Sequence, residues 1–257
     1  MDIYQHFNKD EYSFVDKTLE QTIRVSENYS PKLLNFLTPR EQEIVVSLVR
    51  RDGNVKVAFS GGLEGAERKR AVIFPDYYDV GDADFQLTAF RLTYMDKFIS
   101  VKHQQVLGRL MSLGVERKKY GDIYLHEGQI DIVVAAEIAA YIAQQLNHIH
   151  CVKMRITEIK IEQLERPLEE WLEESITVQS LRLDTVVAAL TNQSRQKAQL
   201  SITQGKVQLN WRVMENQSIE IKPGDLLSIR GLGRIKLIAI NGQTKKGKWH
   251  MTIGKQK

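Results

Sequence analysis

A chain of 257 residues, 42% hydrophobic and 26% charged, carries enough apolar material for two or three small packed domains, which excludes a disordered or fibrous protein. No stretch approaches the roughly 18 consecutive apolar residues of a spanning helix, and Asp2, His6, Lys9 and Asp10 interrupt any signal core, so a cytoplasmic location without membrane attachment is expected. The net charge of +4 is unevenly held: residues 181–257 contain 14 Lys+Arg against 4 Asp+Glu, a net of +10, leaving −6 on residues 1–180.

The chain is read as α+β with four segments: an N-terminal α+β domain over 1–80, a ferredoxin-like domain over 82–163, an acidic connector over 164–179, and a basic module over 180–257. In the first, Phe14, Leu19 and Ile23 give one amphipathic helix, and Lys32 to Leu37 after Pro31 reads as a second. Thr38 then caps a third, with Glu41 in its first turn and Ile44, Val45 and Leu48 on its apolar face. Two strands follow, VKVAFS from Val55 and AVIFP from Ala71. Between them Gly61-Gly62 and Arg68-Lys69-Arg70 lack the lysine-serine pair of a phosphate loop. That run is either an exposed charged turn or a secondary contact for RNA.

Residues 84–163 read strand, helix, strand, strand, helix, strand. The pieces are Phe85 to Leu92, Lys102 to Leu113, Asp122 to Leu125, Gln129 to Val134, Ala135 to Leu146 and Val152 to Ile161. This is the split unit that RNA-recognition motifs also use. Such motifs stack bases on aromatics of their central strands, and here Tyr124 is the one aromatic in place, so packing on a neighbouring domain is its expected role and base stacking the lesser alternative. The lone Cys151 excludes an intrachain disulfide and reads as a small buried hydrophobe. Beyond it, Glu162 to Glu174 holds 6 glutamates and 1 arginine and reads as a solvated linking helix around Pro167.

The last segment is the most informative. Ser180 is expected to cap a helix with Leu183, Val186, Val187 and Leu190 on one face, broken at Asn192. Ser194 caps the next, whose first turn carries Arg195 and Lys197 and whose stop is Gly205. Cations at a helix start oppose the dipole, so Ser194, Arg195 and Lys197 read as a socket for phosphate. A strand from Lys206 to Asn210 puts Val207 and Leu209 inward. Pro223-Gly224-Asp225 then turns into Leu226 to Arg230, and Gly231 and Gly233 open a loop presenting Arg230 and Arg234.

RLD at Arg182, SRQKA at Ser194, GKVQLN at Gly205 and PGD at Pro223 resemble the S4 RNA-binding domain. Two positions depart from it: Ser201 stands where the family has an aliphatic residue, and Trp211 replaces the glycine after the asparagine. With FLTPREQEI, GAERKRAVIFPDYY and GDIYLHEG, nearly the whole chain resembles the bacterial YlmH family. The resemblance implies a ribosome-associated RNA binder, often tied to the cell-division gene cluster, that joins the large ribosomal subunit in rescue of stalled peptidyl-tRNA.

RNA contacts are accordingly assigned to Arg182, Ser194, Arg195, Lys197, Lys206, Asn210, Arg230 and Arg234. No catalytic residue, cofactor or metal is expected: methyltransferase and nucleotide-binding loops are absent, and His148, His150 and Cys151 lack a distant fourth ligand. Asp184 is placed in the first S4 helix and not in a pseudouridine synthase motif. Structured ribosomal RNA, with tRNA beside it, is the expected partner of a monomer. The alternatives are a division-associated protein scaffold using the acidic two-thirds, or an accessory factor in RNA modification.

Overall fold

A computed structural model describes residues 3–95, 101–166 and 171–256. The chain divides into two compact units, Met1–Pro167 and Leu168–Lys257. In the first unit, α1 (Tyr12–Asn28) leads to β1 (Lys32–Leu37), α2 (Pro39–Val49), β2 (Val55–Ser60) and β3 (Lys69–Pro75). α2 starts where the sequence places it: Thr38 Oγ1 accepts from the Glu41 amide, and the Glu41 carboxylate accepts from the Thr38 amide at 2.7 Å.

The helix expected over Lys32 to Leu37 is instead a strand. Six residues are too few for a stable helix, and pairing with β3 satisfies their backbone groups and buries Phe36 and Leu37. β3 is the centre of this three-stranded antiparallel sheet, ordered β1-β3-β2. α1 and α2 cover it through Val25, Val45 and Val49.

The rest of the first unit runs β4 (Leu87–Thr93), α3 (His103–Ser112), β5 (Tyr120–His126), β6 (Gln129–Ala135), α4 (Ala136–Gln145), a small hairpin of β7 (His148–Ile149) and β8 (Val152–Lys153), then β9 (Arg155–Ile159). The sheet is antiparallel in the order β5-β6-β4-β9, with the first and third long strands central, as in the split ferredoxin-like unit. Phe90, Leu92, Ile130, Ile132 and Val134 face α3 and α4 and pack on Val106, Leu110 and Ile142. The final strand starts later than expected because Cys151 lies at the hairpin tip, beside His150 at φ +54°. There Cys151 is exposed, not buried, and its Sγ lies 3.1 Å from His150 Nδ1.

The second unit begins with β10 (Trp171–Val178), where a linking helix was expected. The β-branched run Ile176-Thr177-Val178 favours extension, and the whole strand pairs with β15 (Trp249–Gln256). Between them come α5 (Leu183–Thr191), α6 (Arg195–Thr203), β11 (Val207–Leu209), β12 (Arg212–Val213), β13 (Leu226–Ile229) and β14 (Gly233–Gln243). They form a six-stranded sheet ordered β10-β15-β14-β13-β11-β12. Val207, Leu209, Leu227, Ile229, Ile235, Leu237, Met251 and Ile253 share a core with Val186, Val187, Ala198 and Ile202 of the helices. Ile202 is buried in this core, while Leu200 is exposed. Among the described residues no helix is long and apolar enough to cross a membrane.

Candidate nucleic-acid interface

In the first unit the face that an RNA-recognition motif leaves open is closed. Ala89, Tyr124, Val133 and Ala135 lie on the side of the sheet opposite α3 and α4, and Phe36 of β1 and Leu164 pack on them. Gly121 is required there: a Cβ at that position would sit 2.8 Å from the Phe36 ring. Tyr124 is buried, its hydroxyl without a well-formed hydrogen bond among the described residues, and burial raises its pKa, so it packs on the neighbouring element and offers no stacking platform.

The basic run before β3 is used internally. Arg68 donates to the carbonyls of Tyr120 and Phe36, and its backbone N–H donates to Asp122. Arg70 is 3% exposed; it donates to the carbonyls of Leu34 and Gln86 and pairs with Glu137 at 3.2 Å. Burial lowers both pKa values, against the pull of neighbouring carboxylates. Neither the exposed turn nor the RNA contact expected for this run is what these two arginines form: they bind the first sheet to the second.

The second unit uses arginine differently. The expected cap Ser180 does not cap α5; that helix begins two residues later, with Arg182 at its N-cap and the Ser180 hydroxyl accepting from the Arg182 amide at 3.3 Å. Docking on the segment before β13 fixes this start, since Leu183 and Asp184 donate their amides to the carbonyls of Ile219 and Gln217. Ser194 caps α6 as expected, its hydroxyl accepting from the Lys197 amide. Asn192, left-handed at φ +52°, makes the break between the helices.

These two helix starts meet at Asp184, which is 0% exposed. Its carboxylate accepts from Arg195 Nε at 2.9 Å, from Gln199 at 2.8 Å, from Arg182 Nε and Nη2 at 3.3 Å each, and from Thr185 at 3.3 Å. Burial alone would raise its pKa, but the hydrogen bonds from Arg182, Gln199 and Arg195 outweigh that and hold the carboxyl well below the usual range. The arginines remain in reach of solvent, with side chains 35% and 55% exposed. Asp184 therefore answers the misplaced positive charge at the start of α6. Its signal in the sequence is that charge: a basic first turn calls for an anion nearby.

The other expected contacts separate. Lys197 is exposed on the first turn of α6. Lys206 and Arg230 lie together beyond the far end of that helix, the Arg230 amide donating to the Lys206 carbonyl at 2.9 Å. Nine residues of α6 put about 13 Å between the two groups. Arg234 belongs to neither, because it alternates with the core residues Ile235 and Leu237 and so projects from the helix-free face of the sheet.

Asn210 is engaged within the fold. Its amide donates to Asp225 and accepts from the Leu226 amide, each at 2.9 Å, which clamps the turn between β11 and β12 to the start of β13. That two-residue turn has φ +50° at Asn210 and +64° at Trp211, the mirror-image geometry that favours glycine second. Trp211 thus holds a left-handed conformation of modest cost, and the Asn210 clamp secures it.

Three family models match in chain order: "YlmH, N-terminal" over residues 10–78, "Putative RNA-binding domain in YlmH" over 81–163, and "S4 domain" over 181–227. A curated protein of Bacillus subtilis (strain 168), "Ribosome-associated protein quality control protein P2", is 45% identical over 256 residues, covering 100% of this chain and 99% of its own. The chain belongs to the YlmH family. Another YlmH structure, "Cell division protein ylmH from Streptococcus pneumoniae", is similar at 28% identity and TM-score 0.54, covering 64% of this chain and 100% of that one. As a YlmH protein the chain joins an S4 domain to a two-part first unit whose central sheet face is closed. Among the described residues no group of three or more His, Cys, Asp or Glu is placed to hold a metal ion.

Proposed function

We propose that the chain is a non-enzymatic binder of structured ribosomal RNA and tRNA that joins the large ribosomal subunit when a stalled peptidyl-tRNA occupies it. The observation that carries this reading is the pair of solvent-reaching guanidiniums, Arg182 and Arg195, set at two helix starts of a segment with a net charge of +10. The name of the B. subtilis relative supports the ribosomal side of it. Lys197, Lys206 and Arg230 extend the contact along α6, with Arg234 outside it. About five neutralised phosphates give a slope of log affinity against log salt of roughly −3.5 to −4.5.

Gradient co-sedimentation with separated ribosomal subunits, with and without tRNA, tests the proposal. Association with large subunits is expected, strengthened by tRNA and lost in an Arg182→Ala, Arg195→Ala double variant. Binding to free RNA with no sedimentation alongside either subunit would remove the ribosomal role.

A further inference from the structure

The cluster around Asp184 contains a contradiction in charge. A carboxylate inside a phosphate-binding surface repels the polyanion, so on charge alone the surface would bind RNA better without it. What the carboxylate supplies is placement. An exposed arginine loses much side-chain freedom when it grips a ligand, and a guanidinium already held in position loses less. Asp184 is itself fixed, at 0% exposure, by Gln199 from α6 at 2.8 Å and by its own helix start. Arg195 meets it through Nε at 2.9 Å while more than half of its side chain stays accessible. Arg182 approaches the same carboxylate from the other helix through Nε and Nη2.

We propose that Asp184 is a positioning residue, holding Arg182 and Arg195 as a preformed pincer for one phosphodiester group. Arg195 divides its planar guanidinium, Nε to Asp184 and the terminal amino groups to phosphate oxygens. A lysine amine is a single point of charge and cannot serve both partners. The proposal rests on the RNA-binding reading above.

The test uses the full chain and a labelled structured ribosomal RNA fragment, titrated at several salt concentrations, with folding followed by circular dichroism. Asp184→Asn keeps the shape and removes the negative charge. Positioning predicts roughly tenfold weaker binding and a shallower salt slope; charge alone predicts tighter binding. In an Arg182→Ala, Arg195→Ala background the same substitution is expected to add no further loss, whereas a further loss would mean that Asp184 acts through stability.

Should Asp184→Asn fail to fold, Arg195→Lys carries the test, since it keeps the charge and is expected to lose roughly tenfold in affinity with an unchanged fold. Wild-type affinity in Arg195→Lys, or wild-type or higher affinity in folded Asp184→Asn, would overturn the pincer and leave RNA binding intact. Absence of RNA binding by the wild-type chain overturns both readings.

Discussion

The ferredoxin-like sheet of the first unit and the six-stranded sheet of the second treat positive charge in opposite ways. In the first, Arg68 and Arg70 are drawn inward onto carbonyls, and Phe36 seals the face above Tyr124. In the second, one sheet face is covered by α5 and α6, and the arginines at those helix starts keep much of their side chains in solvent. A basic run is thus no guide to a polyanion site until its carbonyl and carboxylate partners are counted. Arg68 and Arg70 are spent on the fold, whereas Arg182 and Arg195 are anchored at one point and open elsewhere.

Breaking the closed sheet should have the largest effect. Phe36→Ala removes a side chain 1% exposed between two sheets, and a loss of about 3–5 kcal/mol in the stability of the first unit is expected in denaturant titration. Arg70→Ala takes the guanidinium from the Leu34 carbonyl and leaves the Gln86 carbonyl and Glu137 with the Ala136 amide and Lys119 alone; it should cost about 1–3 kcal/mol, with the salt slope of RNA binding unchanged. A reduced slope would show that Arg70 meets phosphate after all.

Acid gives the next effect. Asp184 has a folded pKa held below the unfolded value near 3.8, so its contribution is present above that value and fades as pH falls through the folded one. The second unit should lose stability below about pH 4, and Asp184→Asn should flatten that limb. The smallest effect is expected for Tyr124→Phe. It removes a hydroxyl with no well-formed hydrogen bond among the described residues, so a change within about 1 kcal/mol and unaltered RNA affinity are expected from melting and titration.

Local rules in the sequence anticipated much of this architecture. Thr38, Asn192 and Ser194 act where their side chains or backbone preferences place them, and the order of strands and helices over 84–163 follows from periodicity. Lys32 to Leu37 was illegible because six residues with mixed spacing fit either element, and only β3, more than thirty residues away in sequence, decides between them. The same holds for sites. Ser194, Arg195 and Lys197 were legible as a charged helix start, but Asp184 as their shared anchor depends on how α5 and α6 are packed. Asn210 looked available because nothing local shows that Asp225 and the Leu226 amide will engage it.

The ladder between β10 and β15 has a mechanical consequence. Trp171 pairs with Gln256, the first of eight residue pairs that run to Val178 and Trp249, so the unit's first and last strands lie side by side and antiparallel. Tension applied across Trp171 and Gln256 would load one rung at a time, beginning at that end, where a shear arrangement would load all of them together. The C-terminal unit is therefore built to be peeled open from its ends at low force, while its helices and the arginines they carry lie beyond the last rung to yield.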